Sequence, residues 1–129
     1  MGYFVEARTL RGGMDVDVNA MRFANYFHVE RDLVHVLAGW IARVPETEVK
    51  IGIGTHVWED AVHADMIRER LKELRTSPMA PDPRLTALTD RINRAEDTLL
   101  LLVGVYQVLK PHVITSYRLH RMLADQIMD

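Results

Sequence analysis

Apolar residues recur at helical spacing through most of this chain, and the places where that spacing is interrupted divide it into elements. Phe23, Phe27, Val34, Leu37, Ile41 and Val44 fall close to one face of a helix over about 15–44, and Val16 extends that face backwards. Pro45 ends this helix and, followed by Glu46 and Glu48, suits the first turn of a second one over about 46–75. The segment 76–83 reads as a linker that closes with Asp82 as N-cap and Pro83 at the first helical position. A third helix over about 83–110 then carries Leu85, Leu88, Ile92, Leu99, Val103 and Tyr106 on one side. Pro111 either kinks it into a continuation or separates a fourth helix over about 112–128. Residues 1–13 alternate weakly and end at Arg11-Gly12-Gly13, an N-terminal arm ahead of one domain over 14–129. The expected fold is an all-α antiparallel helical bundle.

Gly52 and Gly54 weaken the second helix by about 1 kcal/mol each relative to alanine. Either they admit a neighbouring helix, or the regular helix begins nearer Thr55. They do not form a phosphate loop, because no further glycine and no Lys-Ser or Lys-Thr pair follows at the required spacing.

The second helix has its apolar stripe interrupted in the middle. With ~100° per residue, Val49, Ile53, His56, Asp60, His63, Ile67, Leu71 and Leu74 all lie within roughly 40° of one line. Two imidazoles and a carboxylate there cost several kcal/mol unless something pairs with them, and a metal ion uses all three at once. Glu59, four residues before His63, is an alternative ligand to Asp60 but points roughly 80° off the centre line. On the first helix Glu30 stands in the middle of the apolar face. Glu30 and Asp60 each lie 15 positions from Pro45, so an antiparallel pair turning there brings them to one depth. Glu96 falls on the third stripe between Ile92 and Leu99, and Tyr117 and His120 are the polar members of the last one, with Val113, Ala124 and Ile127. His28 and His35 lie off the first core face and are expected at the surface. Trp40 and Trp58 point away from the seams, which favours an oligomer interface, while packing against the third helix accounts for either one as well, and the run Leu99 to Val105 is apolar around much of its circumference.

Composition narrows the chemistry. With 129 residues and no cysteine, thiolate metal sites, iron–sulfur clusters and cysteine nucleophiles are excluded, so any metal is held by His and carboxylates. A net charge of −2 without a basic, aromatic-rich cluster gives no footprint for nucleic acid. The longest uninterrupted apolar run falls short of the ~20 residues of a membrane span. The expectation is a cytoplasmic protein with neither nucleic acid nor membrane as partner. Serine-hydrolase and zincin signatures are absent, and no organic cofactor is implied.

Glu30 with Asp60-Ala61-Val62-His63 resembles the ferritin-like di-iron carboxylate proteins, whose bundles supply a Glu from one helix and Glu-x-x-His from the next, repeated by a second pair. The resemblance covers roughly residues 15–75 and the spacing looks like that of the two-helix encapsulated ferritins. Here Asp stands in the place of the motif's Glu, and Tyr117-Arg118-Leu119-His120 lacks a carboxylate. The resemblance implies a metal site of Glu30, Asp60 and His63, with His56, Glu59 and Glu96 as further candidates. It implies iron, or manganese, and oxidation of Fe(II) or a small organic substrate by dioxygen. It also implies completion by a homodimer or higher homo-oligomer, or by a second chain supplying the rest of the bundle. The alternative is a non-catalytic helical interaction module whose buried polar residues only set register or partner choice.

Overall fold

The structure is a computed structural model that describes residues 16–75 and 82–123. Among the described residues there is no strand, and the fold is an all-α helical bundle. Helix α1 spans Val16–Trp40 and closes in a short 3₁₀ turn over Ile41–Arg43. Val44, ahead of Pro45, is extended at φ −80° and ψ 123°, as the proline ring requires of the residue before it. Helix α2 spans Thr47–Glu73 and runs back along α1. Helix α3 spans Pro83–Asn93, with Asp82 capping it by accepting from the Arg84 amide at 2.9 Å. Helix α4 runs unbroken over Thr98–Leu123.

The third helix therefore ends well before the expected position. Asn93 is its last residue, and Asp97 starts α4 by accepting from the Leu100 amide at 2.8 Å. Asp97 immediately before an apolar run is an N-cap signal, and it outweighs the continuity of the hydrophobic stripe. Because the phase resets at this break, Leu99 and Val103 are exposed, while Leu101, Val105, Leu109 and Val113 turn inward. Glu96 is displaced with them: it lies exposed in the turn between α3 and α4, away from the apolar stripe.

Pro111 neither ends α4 nor separates a fourth helix. Gly104–Leu109 form a π segment, and the Lys110 amide donates to the Val105 carbonyl five residues back. The wider turn absorbs the missing N–H of Pro111, and it keeps residues spaced by four on one side. At Gly104 the helices approach closely: a Cβ would stand 3.0 Å from Ile92 Cγ1, and the Ile92 side chain would have to shift by a few tenths of an ångström to admit it. Gly52 and Gly54 mark no such approach, and α2 is regular through both: a Cβ at Gly52 would meet open space, and one at Gly54 only an ordinary contact at 3.7 Å.

Val29, Leu33, Leu37 and Trp40 of α1, Val44 just after its closing turn, Ile53 of α2, Ile92 of α3 and Leu101, Val105, Leu109 and Val113 of α4 form the core. The buried face of α1 is turned by roughly 80° from the expected one towards Val29, Val36 and Trp40. The cause is α3, which packs along that side: Asp82 N–H donates to Asn25 Oδ1 at 3.2 Å and Thr89 Oγ1 to Asp32 at 3.3 Å. Trp40, for which the sequence left an oligomer interface or the third helix as the covering surface, is buried against α3 and donates through Nε1 to the Asn93 carbonyl at 3.3 Å. His28, expected at the surface, is buried in the row Ala20, Ala24, His28, whereas His35 is exposed. The arm 1–13 and the stripe positions Ala124 and Ile127 lie outside the described residues.

Candidate metal centre

Glu30, Asp60 and His63 come together between α1 and α2. One ligand atom from each lies within 4.8 Å of the other two. Glu30 and Asp60 are each 3% exposed, whereas the His63 side chain is 54% exposed and stands at the mouth of the site. Asp60 occupies the centre of the buried face of α2, in line with Ile53, Ala64 and Leu71. His56 and His63 occupy the edge of that face that looks towards α4.

The two carboxylates are poorly satisfied by the protein itself. Tyr117 of α4 donates to Glu30 Oε1 at 2.7 Å, a normal short bond to a carboxylate. Among the described residues no donor reaches Glu30 Oε2: His63 Nδ1, 3.7 Å away, is beyond hydrogen-bond range. Asp60 faces the ammonium of Lys110, 3.4 Å from Oδ1 and 3.3 Å from Oδ2. Charge-assisted bonds of this kind normally measure ~2.7–2.9 Å, so this is an ion pair rather than a tight hydrogen bond, and Oδ2 has no hydrogen-bond partner. Burial, and then the charge of Asp60, push the Glu30 carboxyl above its usual range, against the opposing pull of Tyr117 and His63. Tyr117 is held as a neutral phenol by burial and by Glu30 beside it.

Behind Tyr117 the polar chain continues. The rings of Tyr26 and Tyr117 meet edge-on with centroids 4.6 Å apart. The Tyr26 hydroxyl reaches His120 Nδ1 at 3.0 Å, and His120 Nε2–H donates to Asn19 Oδ1 at 2.6 Å. His120 is thus a buried, bonded core histidine, not a ligand of the carboxylate cluster. His56 likewise turns away from the cluster, and its Nδ1 is hydrogen bonded to the Tyr106 hydroxyl. Burial and the carboxylates of Asp60 and Glu59 push that phenol up to about 12. Glu59 is exposed at the cavity rim, and Glu96 is remote from the site. Of the six candidate ligands, Glu30, Asp60 and His63 are gathered as one cluster and the other three are not.

The cluster opens into a cavity of about 720 Å³ whose walls include Phe23, Leu33, Ile67, Val113 and Ile114. Two buried carboxylates with unbonded oxygens, next to an imidazole at the cavity mouth, form a donor set that suits a divalent cation such as Fe(II), Mn(II) or Zn(II). An orphaned buried carboxylate oxygen costs about 1–3 kcal/mol or more, which a cation would offset. Tyr117 and Lys110 were not anticipated at the site. Tyr117 was visible as a polar member of the last stripe, but Lys110 gave no signal, because its inward turn depends on the π segment just before it.

No family model, no curated protein and no solved structure matches this chain. The functional reading therefore rests on the geometry.

Proposed function

We propose that the protein is a ferritin-like metal-binding protein in which Glu30, Asp60 and His63 hold iron or manganese. The observation that carries this reading is the convergence of Glu30 and Asp60 from two helices, both buried, each with an oxygen that accepts no hydrogen bond among the described residues. A bound iron ion would supply oxidation by dioxygen, of Fe(II) itself or of a small organic molecule. Glu30 and Asp60 would provide the anionic donors and His63 a neutral one from the solvent side. Tyr117 orients Glu30 through its hydroxyl, and mostly apolar walls surround the cavity into which the carboxylates face.

Three protein donors leave a metal site open, and away from it the bundle exposes large apolar side chains. Ile51, Trp58, Val62 and Met66 line one exposed face of α2, and Leu99, Leu100 and Met122 are exposed on α4. We therefore propose a homodimer or higher homo-oligomer covering these faces. By length and composition α4 is apolar enough to cross a membrane, with a mean hydropathy of 1.4. Its Lys110 and Tyr117 reach the carboxylates of α1 and α2, so in this reading α4 is a bundle helix of a cytoplasmic protein.

One observation favours a second reading: Lys110 already pairs with Asp60, as in a structural polar network of a non-catalytic helical module. Metal analysis separates the two. Protein supplied anaerobically with Fe(II) should retain iron in proportion to chain and change absorbance on exposure to oxygen, and His63→Ala should lose both responses. Wild-type protein that retains no iron above the level of His63→Ala would refute the metal reading and leave the structural one.

A further inference from the structure

We propose that the ammonium of Lys110 stands in the place of a second cation and restricts this site to a single divalent ion. The inference rests on the metal reading of Glu30, Asp60 and His63. Lys110 Nζ lies 3.3 and 3.4 Å from the two oxygens of Asp60, facing both at once, as a bridging cation would. Its side chain is only 21% exposed, and the ammonium also lies 5.2 Å from the centroid of the Tyr106 ring. A carboxylate, an aromatic face and the bundle therefore hold this charge in place. The placement is built into α4. Lys110 follows the π segment Gly104–Leu109, whose extra residue turns everything after it by about 100°, and this brings Lys110 and Tyr117 to face α1 and α2 together.

Charge and donor count agree on one ion. Glu30 and Asp60 together carry at most two negative charges, and Lys110 cancels one of them. One divalent ion leaves a single excess positive charge, which a bound hydroxide or an anionic ligand can balance. A second divalent ion would leave three, in a site whose carboxylates are almost fully buried. At the cavity rim Glu59 and Arg121 add opposite charges and change nothing in this balance. Three protein donors with an open position are the complement of one catalytic ion, and no further carboxylate or imidazole of the described residues joins the cluster.

The test uses the full chain and Mn²⁺ as probe, with binding followed by calorimetry and by electron paramagnetic resonance on wild type, Lys110→Gln and Lys110→Glu. Wild type should bind one Mn²⁺ per chain with the hyperfine pattern of an isolated ion. Lys110→Gln should bind Mn²⁺ at least tenfold more tightly, and Lys110→Glu should take up a second ion with the signal of a coupled pair. Wild type that takes no Mn²⁺ while Lys110→Gln binds it would overturn the inference, because the ammonium would then exclude the first ion and not a second one. Two ions per wild-type chain would overturn it while leaving the metal site standing, and so would Lys110→Gln binding no more tightly than wild type. Binding by none of the three overturns the metal reading and the inference with it. If the glutamine and glutamate variants fail to fold, wild-type stoichiometry still decides, and Lys110→Arg, which keeps the charge, should retain one ion per chain.

Discussion

Replacing Glu30 by glutamine should stabilise the metal-free protein while destroying its capacity for metal. The side chain is 3% exposed and its ligand atom lies within 4.8 Å of that of Asp60. At that separation, in a medium of effective dielectric ~20, two negative charges repel by about 3–4 kcal/mol. Lys110 and the Tyr117 hydroxyl offset part of this, which leaves a net gain of about 1–2 kcal/mol for Glu30→Gln, whose amide oxygen can still accept from Tyr117. For a chain of 129 residues that is a rise in Tm of roughly 3–10 °C. The gain depends on pH in a definite direction. Glu30 has its folded-state pKa raised, first by burial and then by Asp60, so its contribution to stability is fully present below the ordinary value of 4.5 and is lost as pH rises through the folded value. The advantage of Glu30→Gln is therefore largest at pH 8 and fades on acidification. Excess Mn²⁺ should reverse the order at pH 8: a metal at 100 times its Kd adds about 2.7 kcal/mol to wild type and nothing to Glu30→Gln. Differential scanning calorimetry at several pH values, with and without Mn²⁺, reads all of this. A Glu30→Gln protein less stable than wild type at pH 8 without metal, or stabilised by Mn²⁺ as much as wild type, would refute the reasoning.

Two further outcomes follow from the packing. Gly52→Ala should raise stability by about 1 kcal/mol, because α2 is regular there and a Cβ meets open space; a fall in the denaturation midpoint would contradict that environment. Trp58, 69% exposed among Ile51, Val62 and Met66, should anchor self-association, so Trp58→Glu should shift the sedimentation equilibrium towards monomer with an unchanged far-ultraviolet spectrum. Wild-type protein that is monomeric at high micromolar concentration would remove the basis for that interface.

Local signals already determined much of this architecture. The turn at Pro45, the Asp82-Pro83 cap and the depth match of Glu30 with Asp60 could all be read from spacing, because capping and helical periodicity depend on residues only a few positions apart. The preference for Asp60 over Glu59 came from the same geometry, and Asp60 is the one buried in the cluster. The break at Asp97 was also legible, as a capping residue ahead of an apolar run, but it competed with a stripe that continued in phase across it.

Tertiary structure decided what periodicity cannot express. The burial of Trp40 and the rotation of the α1 core face follow from α3 lying along Val29, Val36 and Trp40, a contact between segments some fifty residues apart. The uninterrupted passage of α4 through Pro111 depends on a π segment, which no apolar pattern announces, and the arrival of Lys110 and Tyr117 at the carboxylates depends on that segment in turn. The sequence by itself placed two carboxylates and an imidazole at one depth of a helical pair. Only the packed bundle put a resident ammonium beside them, because which side of α4 faces the site is set by one extra residue in a turn and by the neighbours that hold it there.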